Sequence, residues 1–546
     1  MKKYLKVMSA VLALVMCVSI FASCGKEEKD VASGDLGKFT YWASMYSSSA
    51  QTLTSYSEML MYQEIAKATG LDVEFIHPSK GSTGTEAFQI LIASGDYPDM
   101  IEYSWSSYSG GPDQAIEDGV IISLNDYLKD YAPNYYDYME GEKGKAHDYL
   151  YKKQTITLNG NYYGFNNLAI GEYRSFGGVY IRKDMLDKWG VEIPKTIDDW
   201  TELFKVAKDN GVEYPFTCTK GSLGVGAVNT FNVAWDISNN FYVDGTDVKY
   251  GPYEAAYKDY VKQMSEWFKA GYIDPDFVTN DSNTVFGRIT NGSSICAFGY
   301  VGSAMGVLIP AMIDRGDAEF KLAACPYPVL KDGDSTRFLN LMAESSSPTI
   351  AISSQCGIDN EERVKAAVSW CDYLYSEEGS VLSNFGVEGE TYTIEKDENG
   401  VEHYRYTDKI LDHEKIGAHS IDAALFHFFR VGNAPGISQH PDYLDGYYQY
   451  QEQKDAIVIW NETIDAARET YYPASISFTD DESQTIATIK ASAGVSEFSA
   501  GILDIMMNRK SMDDYDKVVE ASKKAGYTDV CEIYQTAYDR YLKAVE

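Results

Sequence analysis

Basic residues are scarce in this sequence. Its 546 residues include 47 Lys and Arg against 81 Asp and Glu, so the formal net charge at pH 7 is −34. Nucleic acids and anionic lipid surfaces are bound mainly through clustered cations. The charge balance therefore argues against both kinds of partner, although it identifies no ligand.

Motifs for catalysis and metal binding are also missing. There is no G-x-G-x-x-G turn after a strand, no G-x-x-x-x-G-K-[ST] loop and no G-x-S-x-G elbow. His413 and His419 are six residues apart, whereas the H-E-x-x-H zinc site places its histidines at i and i+4. We therefore predict that the protein is not an enzyme and binds no metal or cofactor. A glycan hydrolase remains the alternative, because its chemistry needs only two suitably spaced carboxylates.

Paired cysteine motifs are absent as well. No C-x-x-C pair occurs, which disfavours a zinc ribbon or a thioredoxin-like site. Apart from two cysteines near the N-terminus, the cysteines are widely scattered. We expect buried free thiols at Cys218, Cys296, Cys325, Cys356, Cys371 and Cys531.

The N-terminus has the pattern of a targeting sequence. Three lysines precede an apolar run at residues 11–20, which is shorter than the roughly 20 residues that a membrane-spanning helix needs. Small residues then lead to Cys24 in a pattern that resembles the lipobox of bacterial lipoproteins, although Phe21 stands where Leu is usual. We predict a signal peptide at 1–23, lipidation of Cys24, and a flexible tether at 24–37.

Strand and helix patterns alternate from residue 38 onwards. This alternation is typical of a parallel sheet covered by helices, and the chain is long enough for two lobes. Asn159 and Gly160 lie between two β-rich runs and predict a hairpin turn. The strand patterns lie at 38–42, 71–75, 100–103 and 177–182, and the clearest helical faces at 57–69, 85–93, 254–270, 362–375, 512–525 and 529–543.

Several short stretches, taken in order, resemble the large extracellular solute-binding lipoproteins of ABC importers, particularly the long carbohydrate-type members. Each stretch alone is weakly specific, but together they extend over nearly the whole chain. Many relatives have an acidic, calcium-loop-like insert at the position of residues 208–211. The segment is short in this sequence, so we expect no calcium site. The stretches are 69–74, LIASGDYPD at 91–99, 119–125, 131–134, 180–186, WFKAGYIDPDF at 267–277, 375–379, NFGVEG at 384–389 and YQTAYDRY at 534–541.

This resemblance implies an α/β fold of the two-lobe periplasmic-binding-protein type, with an interlobe cleft and extra C-terminal helices. We expect the ligand to lie in the cleft and closure of the lobes to bury it. The predicted division assigns residues 38–162 and 283–343 to lobe 1, and residues 163–282 and 344–546 to lobe 2.

A sugar presents apolar C–H faces and a rim of hydroxyls, so its site needs flat aromatic rings together with amides and carboxylates. In open α/β sheets, ligands bind beyond the carboxyl ends of strands. The alternative for each aromatic residue is ordinary packing in a core. Residues after predicted strands and in polar loops give the candidates Trp42, Tyr46, Glu102, Trp105, Tyr108, Trp235, Asp236, Tyr300 and Glu388.

The resemblance thus implies a lipid-anchored binding protein on the outer face of the cell membrane. It would deliver a carbohydrate, and more specifically an oligosaccharide, to the permease of an ABC importer. A peptide-binding member of the same transporter class, a surface glycan hydrolase and an adhesion protein remain alternatives. A monomer is the default expectation for the oligomeric state.

Overall fold

A computed structural model describes residues 36–545, apart from residues 80–81, 419 and 431. The predicted signal peptide, the lipidation site at Cys24 and most of the predicted tether lie outside the described residues. Residues Lys38–Glu546 belong to one unit by their contacts. In the part of the chain that the structure describes, none of the helices combines the length and the apolar character that a membrane crossing requires.

The strands form two sheets and two separate hairpins. They are β1 (Phe39–Trp42), β2 (Val73–Ile76), β3 (Met100–Tyr103), β4 (Phe165–Ala169), β5 (Gly177–Arg182), β6 (Phe241–Asp244), β7 (Asp247–Tyr250), β8 (Cys296–Tyr300), β9 (Leu322–Ala324), β10 (Ser345–Ile352), β11 (Tyr392–Lys396), β12 (Glu402–Tyr406) and β13 (Gly436–Ser438).

Helices cover both sheets. They are α1 (Leu60–Thr69), α2 (Gly84–Ser94), α3 (Gly111–Glu117), α4 (Leu128–Tyr131), α5 (Pro133–Met139), α6 (Glu142–Ala146), α7 (Leu150–Lys153), α8 (Lys183–Trp189), α9 (Ile197–Asp209), α10 (Ala255–Lys269), α11 (Ser282–Thr290), α12 (Gly306–Asp314), α13 (Glu361–Tyr373), α14 (Glu377–Phe385), α15 (Asp408–Leu411), α16 (Ile421–Phe428), α17 (Pro441–Tyr447), α18 (Gln451–Trp460), α19 (Ile464–Arg468), α20 (Asp480–Lys490), α21 (Ala493–Met506), α22 (Tyr515–Ser522) and α23 (Thr528–Val545).

Local chemistry explains where several of these helices begin and end. Thr196 is the N-cap of α9 and forms a reciprocal capping box with Asp199. Gly70 ends α1 in the left-handed conformation at φ 71°, where a residue with a Cβ atom would be strained. The hairpin turn predicted at Asn159 and Gly160 is wrong, because the turn there is not flanked by two strands.

The large sheet has six strands in the order β13-β4-β10-β3-β1-β2. Strand β1 is parallel to β2 and β3, whereas β10 is antiparallel to β3 and β4. Thr349 pairs with Tyr103 at the carboxyl end of β3, and Ser345 pairs with Leu168 near the carboxyl end of β4. The carboxyl ends of β1, β3 and β4 therefore share one end of the sheet with the start of β10. We call this the crossover end of the large sheet.

The small sheet has three strands in the order β8-β5-β9, and both outer strands are antiparallel to β5. Gly177, the first residue of β5, pairs with Tyr300, the last residue of β8. These two residues define the crossover end of the small sheet. The main core beside this sheet includes Trp200 and Trp267, and helices α20 to α23 add further apolar residues to it.

Strand pairing differs from the predicted division into lobes. Strands β8 and β9 fall within residues 283–343, which were assigned to lobe 1, yet they pair with β5 in the small sheet. Strands β10 and β13 fall within residues 344–546, which were assigned to lobe 2, yet they pair in the large sheet. Apolar alternation marks a strand but does not identify its neighbour, because any compatible strand can supply the hydrogen bonds.

The chain passes between the two sheets through three segments that lie side by side. The amide of Ala169 donates to the carbonyl of Glu344, and the amide of Ile170 donates to the carbonyl of Ser438. Arg174, in the first crossing, donates to the carbonyl of Ala169 and to the side chain of Gln439. Side chains and backbone thus bind the three crossings to one another.

Glu344 is the charged centre of these crossings. Its side chain is only 4% exposed, and its carboxylate accepts hydrogen bonds from Gln154 at 2.8 Å and from Arg468 at 3.0 Å. Arg174 Nε lies 3.5 Å from the same carboxylate. A buried carboxylate is stable only when it is paired and hydrogen-bonded, so these partners fix where the crossings meet.

A second buried ion pair attaches the C-terminal return of the chain to the large sheet. Both terminal nitrogens of the Arg430 guanidinium group contact the Glu102 carboxylate, at 2.8 and 2.7 Å. The Tyr41 hydroxyl donates to the same carboxylate at 2.5 Å. Burial and the Glu102 charge raise the pKa of Tyr41 well above its usual value, so its hydroxyl remains a donor. The Glu102 carboxylate is thus engaged within the core, and its predicted contact with a ligand stays a prediction.

The six cysteines in the described residues are all free. Five of them are buried, and Cys531 is partly exposed. Burial raises the pKa of the Cys531 thiol to about 12, which keeps it protonated at neutral pH. The expectation of buried free thiols is thus met for five positions and partly for the sixth.

Removing the Glu102 charge should destabilise the fold strongly. Glu102→Gln leaves Arg430 buried without its ionic partner, and we expect a loss of about 3–5 kcal/mol in the free energy of unfolding, measured by urea denaturation. Glu74→Gln is the matched control, because Glu74 pairs with Lys38 on the surface of the same sheet and should change stability by less than about 1 kcal/mol. Equal effects of the two substitutions would contradict this assignment.

Candidate ligand-binding site

The crossover ends of the two sheets border the same three crossings. Residues 43–48 and 104–108 follow β1 and β3 at the large sheet, while a π-helical turn at Val301–Met305 follows β8 at the small sheet. Helix α17 connects the two sides, because its Tyr447 donates to Asp422, which accepts from Ser48 after β1, and also contacts the core beside the small sheet. These segments form the candidate ligand-binding site.

Two of the predicted tryptophans lie in the core of the large-sheet lobe rather than in this site. Trp42 is 4% exposed and Trp105 is 1% exposed. Phe88 from α2 lies 6.1 Å from the Trp42 ring and packs edge-on against Trp105 at 5.4 Å. Both rings are therefore packed under Phe88 of α2 in this structure, and ligand contact by either tryptophan stays a prediction.

Tyr46, Tyr108 and Tyr300 do lie at the crossover ends. Tyr300 is 44% exposed, and its ring packs edge-on against Phe298 at 5.5 Å. Tyr46 is partly exposed and contacts the ring of Phe426 at 4.5 Å. The hydroxyl of Tyr108 donates to Asp118 at 2.8 Å. Contact of these tyrosines with a ligand stays a prediction.

Trp235, Asp236 and Glu388 are placed differently from these tyrosines. Trp235 is partly buried against Tyr260, at 5.8 Å between ring centres. Asp236 accepts hydrogen bonds from the amide and Nε of Arg337 at 3.1 and 3.0 Å. Glu388 is exposed on a loop beside the last turn of α1, which leads to the opposite end of the large sheet. Ligand contact by Glu388 would therefore require a site other than the one at the crossings.

A polar network that the sequence did not reveal lies at the start of β5. Tyr327 donates to the carbonyl of Gly177 at 2.6 Å and accepts from the side chain of Asn340 at 2.9 Å. The side chain of Asn340 in turn accepts from the amide of Asn229 at 2.8 Å. These residues come from loops without a recognisable motif. The polar loop that contains the candidates Trp235 and Asp236 was the nearest signal in the sequence.

An aspartate with a shell of aromatic rings lies between the two sides. Asp422, in the first turn of α16, accepts from Ser48 at 2.5 Å and from the Tyr447 hydroxyl at 3.3 Å. Tyr443 stacks on Tyr447, with ring centres 5.5 Å apart and planes within 10°. With Tyr46 and Phe426 these residues form what we call the Asp422 cluster. Ser48 and Asp422 are 374 residues apart in sequence, so no local sequence pattern could have predicted that they are in contact.

The Asp422 charge acts on the surrounding hydroxyl groups. Burial, and after it the negative charge of Asp422, raises the pKa of Tyr46, Tyr447 and Tyr448 above the usual value for tyrosine. All three hydroxyls are therefore protonated at physiological pH and can donate hydrogen bonds. The cluster combines donors, one carboxylate acceptor and flat rings, which is the set of groups that a polyhydroxylated ring requires.

Comparisons with known proteins agree with this architecture. The chain is 24% identical over 405 residues to Lipoprotein LipO of Bacillus subtilis, covering 70% of this chain and 73% of that protein. It is 30% identical over 250 residues to the fructooligosaccharide ABC transporter substrate-binding protein FusA of Streptococcus pneumoniae, covering 42% of this chain and 44% of that protein.

Solved structures share the fold. An HMO-binding, ABC-transporter-associated solute-binding protein from Bifidobacterium longum infantis superposes with a TM-score of 0.67 at 18% identity, over 92% of this chain and 99% of the other. The two-lobe fold is therefore that of the solute-binding proteins. The sequence profile described as bacterial extracellular solute-binding protein matches residues 50–381, more than half of the chain. This protein belongs to that family, whose members bind a solute rather than transform it.

Proposed function

We propose that this protein captures an oligosaccharide outside the cell and delivers it to the permease of an ABC importer. The observation that carries the proposal is the meeting of two crossover ends, each of which presents partly exposed tyrosines and polar side chains. Tyr300 and Asn340 come from one side, and Tyr46 and Asp422 from the other. The names of relatives such as FusA, which refer to oligosaccharide transport, support the same ligand class.

Cleft closure is the mechanism that we propose. Arg174 in the first crossing contacts Glu344 of the second and Gln439 of the third, so the lobes can rotate about these joined crossings while each core stays packed. A ligand that contacts both crossover ends binds the closed state better than the open state and shifts the population towards it. The closed form would then be the one that the permease recognises.

The lobe boundaries that we propose follow the strand pairing. One lobe would contain residues 38–169 and 345–438, and the other residues 177–324 and 449–545. The pairing of β10 with β3 and of β8 with β5 supports this division. The segments between these ranges would be the crossings.

We also propose that the protein is held at the outer face of the cell membrane by lipid on Cys24. The support is the lipobox-like sequence that ends at this cysteine and the similarity to a relative named as a lipoprotein. A lipid chain anchors a protein to a membrane without a transmembrane helix. A monomer remains the simplest proposal for the assembly.

Saccharide binding should stabilise the protein. At a ligand concentration 100 times its Kd, we expect about 2.7 kcal/mol of added stability, because the ligand binds only the folded state. The measurement is the melting temperature of the mature chain against a panel of neutral and acidic oligosaccharides and short peptides. A shift with peptides alone would favour the peptide-binding alternative, and release of smaller sugars during incubation would favour the hydrolase.

Removing a tyrosine ring from the site should weaken binding without unfolding the protein. Tyr300→Ala and Tyr46→Ala each remove a ring that a sugar face could cover, and we expect about a tenfold increase in Kd for each, measured by calorimetry. Tyr136→Ala is the control, because Tyr136 is a partly exposed tyrosine of α5, away from both crossover ends. Unchanged affinity in both site variants would exclude this placement of the ligand.

Cys24→Ala should release the protein from cells. Alanine has no thiol to which the proposed lipid could be attached. The protein should therefore move from the membrane fraction to the medium. Immunoblots of both fractions measure the distribution, with Cys17→Ala as the control inside the apolar run. Retention of the Cys24 variant on the membrane would contradict a lipid anchor at this residue.

A further inference from the structure

The arginines nearest to the candidate site are all engaged with carboxylates. Arg430 binds Glu102 through both terminal nitrogens, and Arg174 lies 3.5 Å from Glu344. Arg468 contacts Glu344 at 3.0 Å and Asp465 at 3.0 Å. Arg337, beside the Asn340 loop, binds Asp236 and Asp244 at 3.0 Å each. Offering any of these guanidinium groups to a ligand would break an ion pair, which is most unfavourable for the buried pairs.

The segments at the crossover ends have a different composition. Residues 43–48, 104–108 and 301–305 consist of small, hydroxyl-bearing and apolar or aromatic residues. Two carboxylates on the large-sheet side contact them, because Asp422 accepts from Ser48 and Asp118 accepts from the Tyr108 hydroxyl. The small-sheet side also approaches the cluster, because a Cβ atom on Gly302 would lie 3.1 Å from the Tyr447 hydroxyl.

We propose that the cleft selects uncharged oligosaccharides and rejects those that contain uronic acids, and that the Asp422 carboxylate is the main determinant of this selection. The inference rests on the proposed function and narrows its ligand class. A uronate carboxylate near Asp422 would place two like charges in a partly desolvated site. A neutral sugar can instead share a hydroxyl proton with Asp422 and place its C–H face on the Tyr46 or Tyr447 ring.

The test uses oligosaccharides that differ only in charge. One panel contains oligomers of glucose, galactose and mannose with two to six units, and the second contains the same oligomers after oxidation of C6 to the carboxylate. Melting temperature identifies binders in each panel, and calorimetry gives their Kd values at low ionic strength. We expect binding in the neutral panel, and at least about tenfold weaker binding for each oxidised counterpart, since one tenfold step corresponds to a single modest charge repulsion.

Asp422→Asn tests the role of the carboxylate. The amide keeps the shape of the side chain and an acceptor oxygen for Ser48 and Tyr447 but removes the charge, so the preference for the neutral member of a pair should fall by about tenfold. Asp445→Asn is the matched control, because Asp445 lies nearby on α17 but pairs with Lys454 and Arg405. Melting of the ligand-free variants shows whether both are folded.

A lysine in a neighbouring loop allows a further check. Lys220 is exposed in the loop that leads to Asn229. Lys220→Ala should leave the neutral preference unchanged. The inference is overturned if oxidised oligomers bind as tightly as neutral ones or more tightly, or if Asp422→Asn keeps the full preference. If no saccharide shifts the melting temperature, the proposed function is refuted, and the inference with it.

Discussion

Glu344 is the point at which the two lobes are joined. A carboxylate with 4% exposure is tolerated only because Gln154, Arg174 and Arg468 surround it, and these partners come from different passes of the chain. The interaction does more than neutralise a charge, because it forces the crossings to meet at one place. The two crossover ends, and therefore the candidate site between them, owe their position to that meeting.

The ion pair of Arg430 and Glu102 has a comparable role within the large-sheet lobe. Strand β3 supplies Glu102, whereas Arg430 follows α16 and arrives after more than three hundred intervening residues. The pair fixes the segment that carries Asp422 and Phe426 against β3, next to β1, and Tyr46 lies in the segment that follows β1. A core interaction thus determines where candidate site residues from distant parts of the sequence converge.

The local elements of this fold could be predicted from the sequence with good accuracy. The strands near 39–42 and 100–103, the capped helix at Thr196 and the long helix ending before Gly271 all follow from periodicity and capping chemistry. The assignment of β8 and β9 to a sheet could not be predicted, because it depends on which strands find each other in space. The sheet pairing is a nonlocal property, and it reversed the expected assignment of two large segments.

The candidate site shows the same limit more sharply. Tyr46 and Tyr300 were predicted from their positions after strands, and the structure places both at crossover ends. Trp42 and Trp105 satisfied the same rule but are covered by Phe88, because the rule gives the end of a strand and not what packs over it. Asp422 and Tyr447 could not be found at all, since their proximity to Ser48 depends on the complete path of the chain.

The charged residues that hold the fold together differ from the groups that lie at the candidate site. Arg174 and Arg430 are held by buried carboxylates where distant chain segments meet. The crossover ends present rings, hydroxyls and amides around the Asp422 carboxylate. Such groups recognise a ligand through shape and hydrogen-bond direction rather than through net charge. The strongly acidic composition and the uncharged character of the proposed ligand are therefore consistent with each other, because the cations are used to build the site and not to line it.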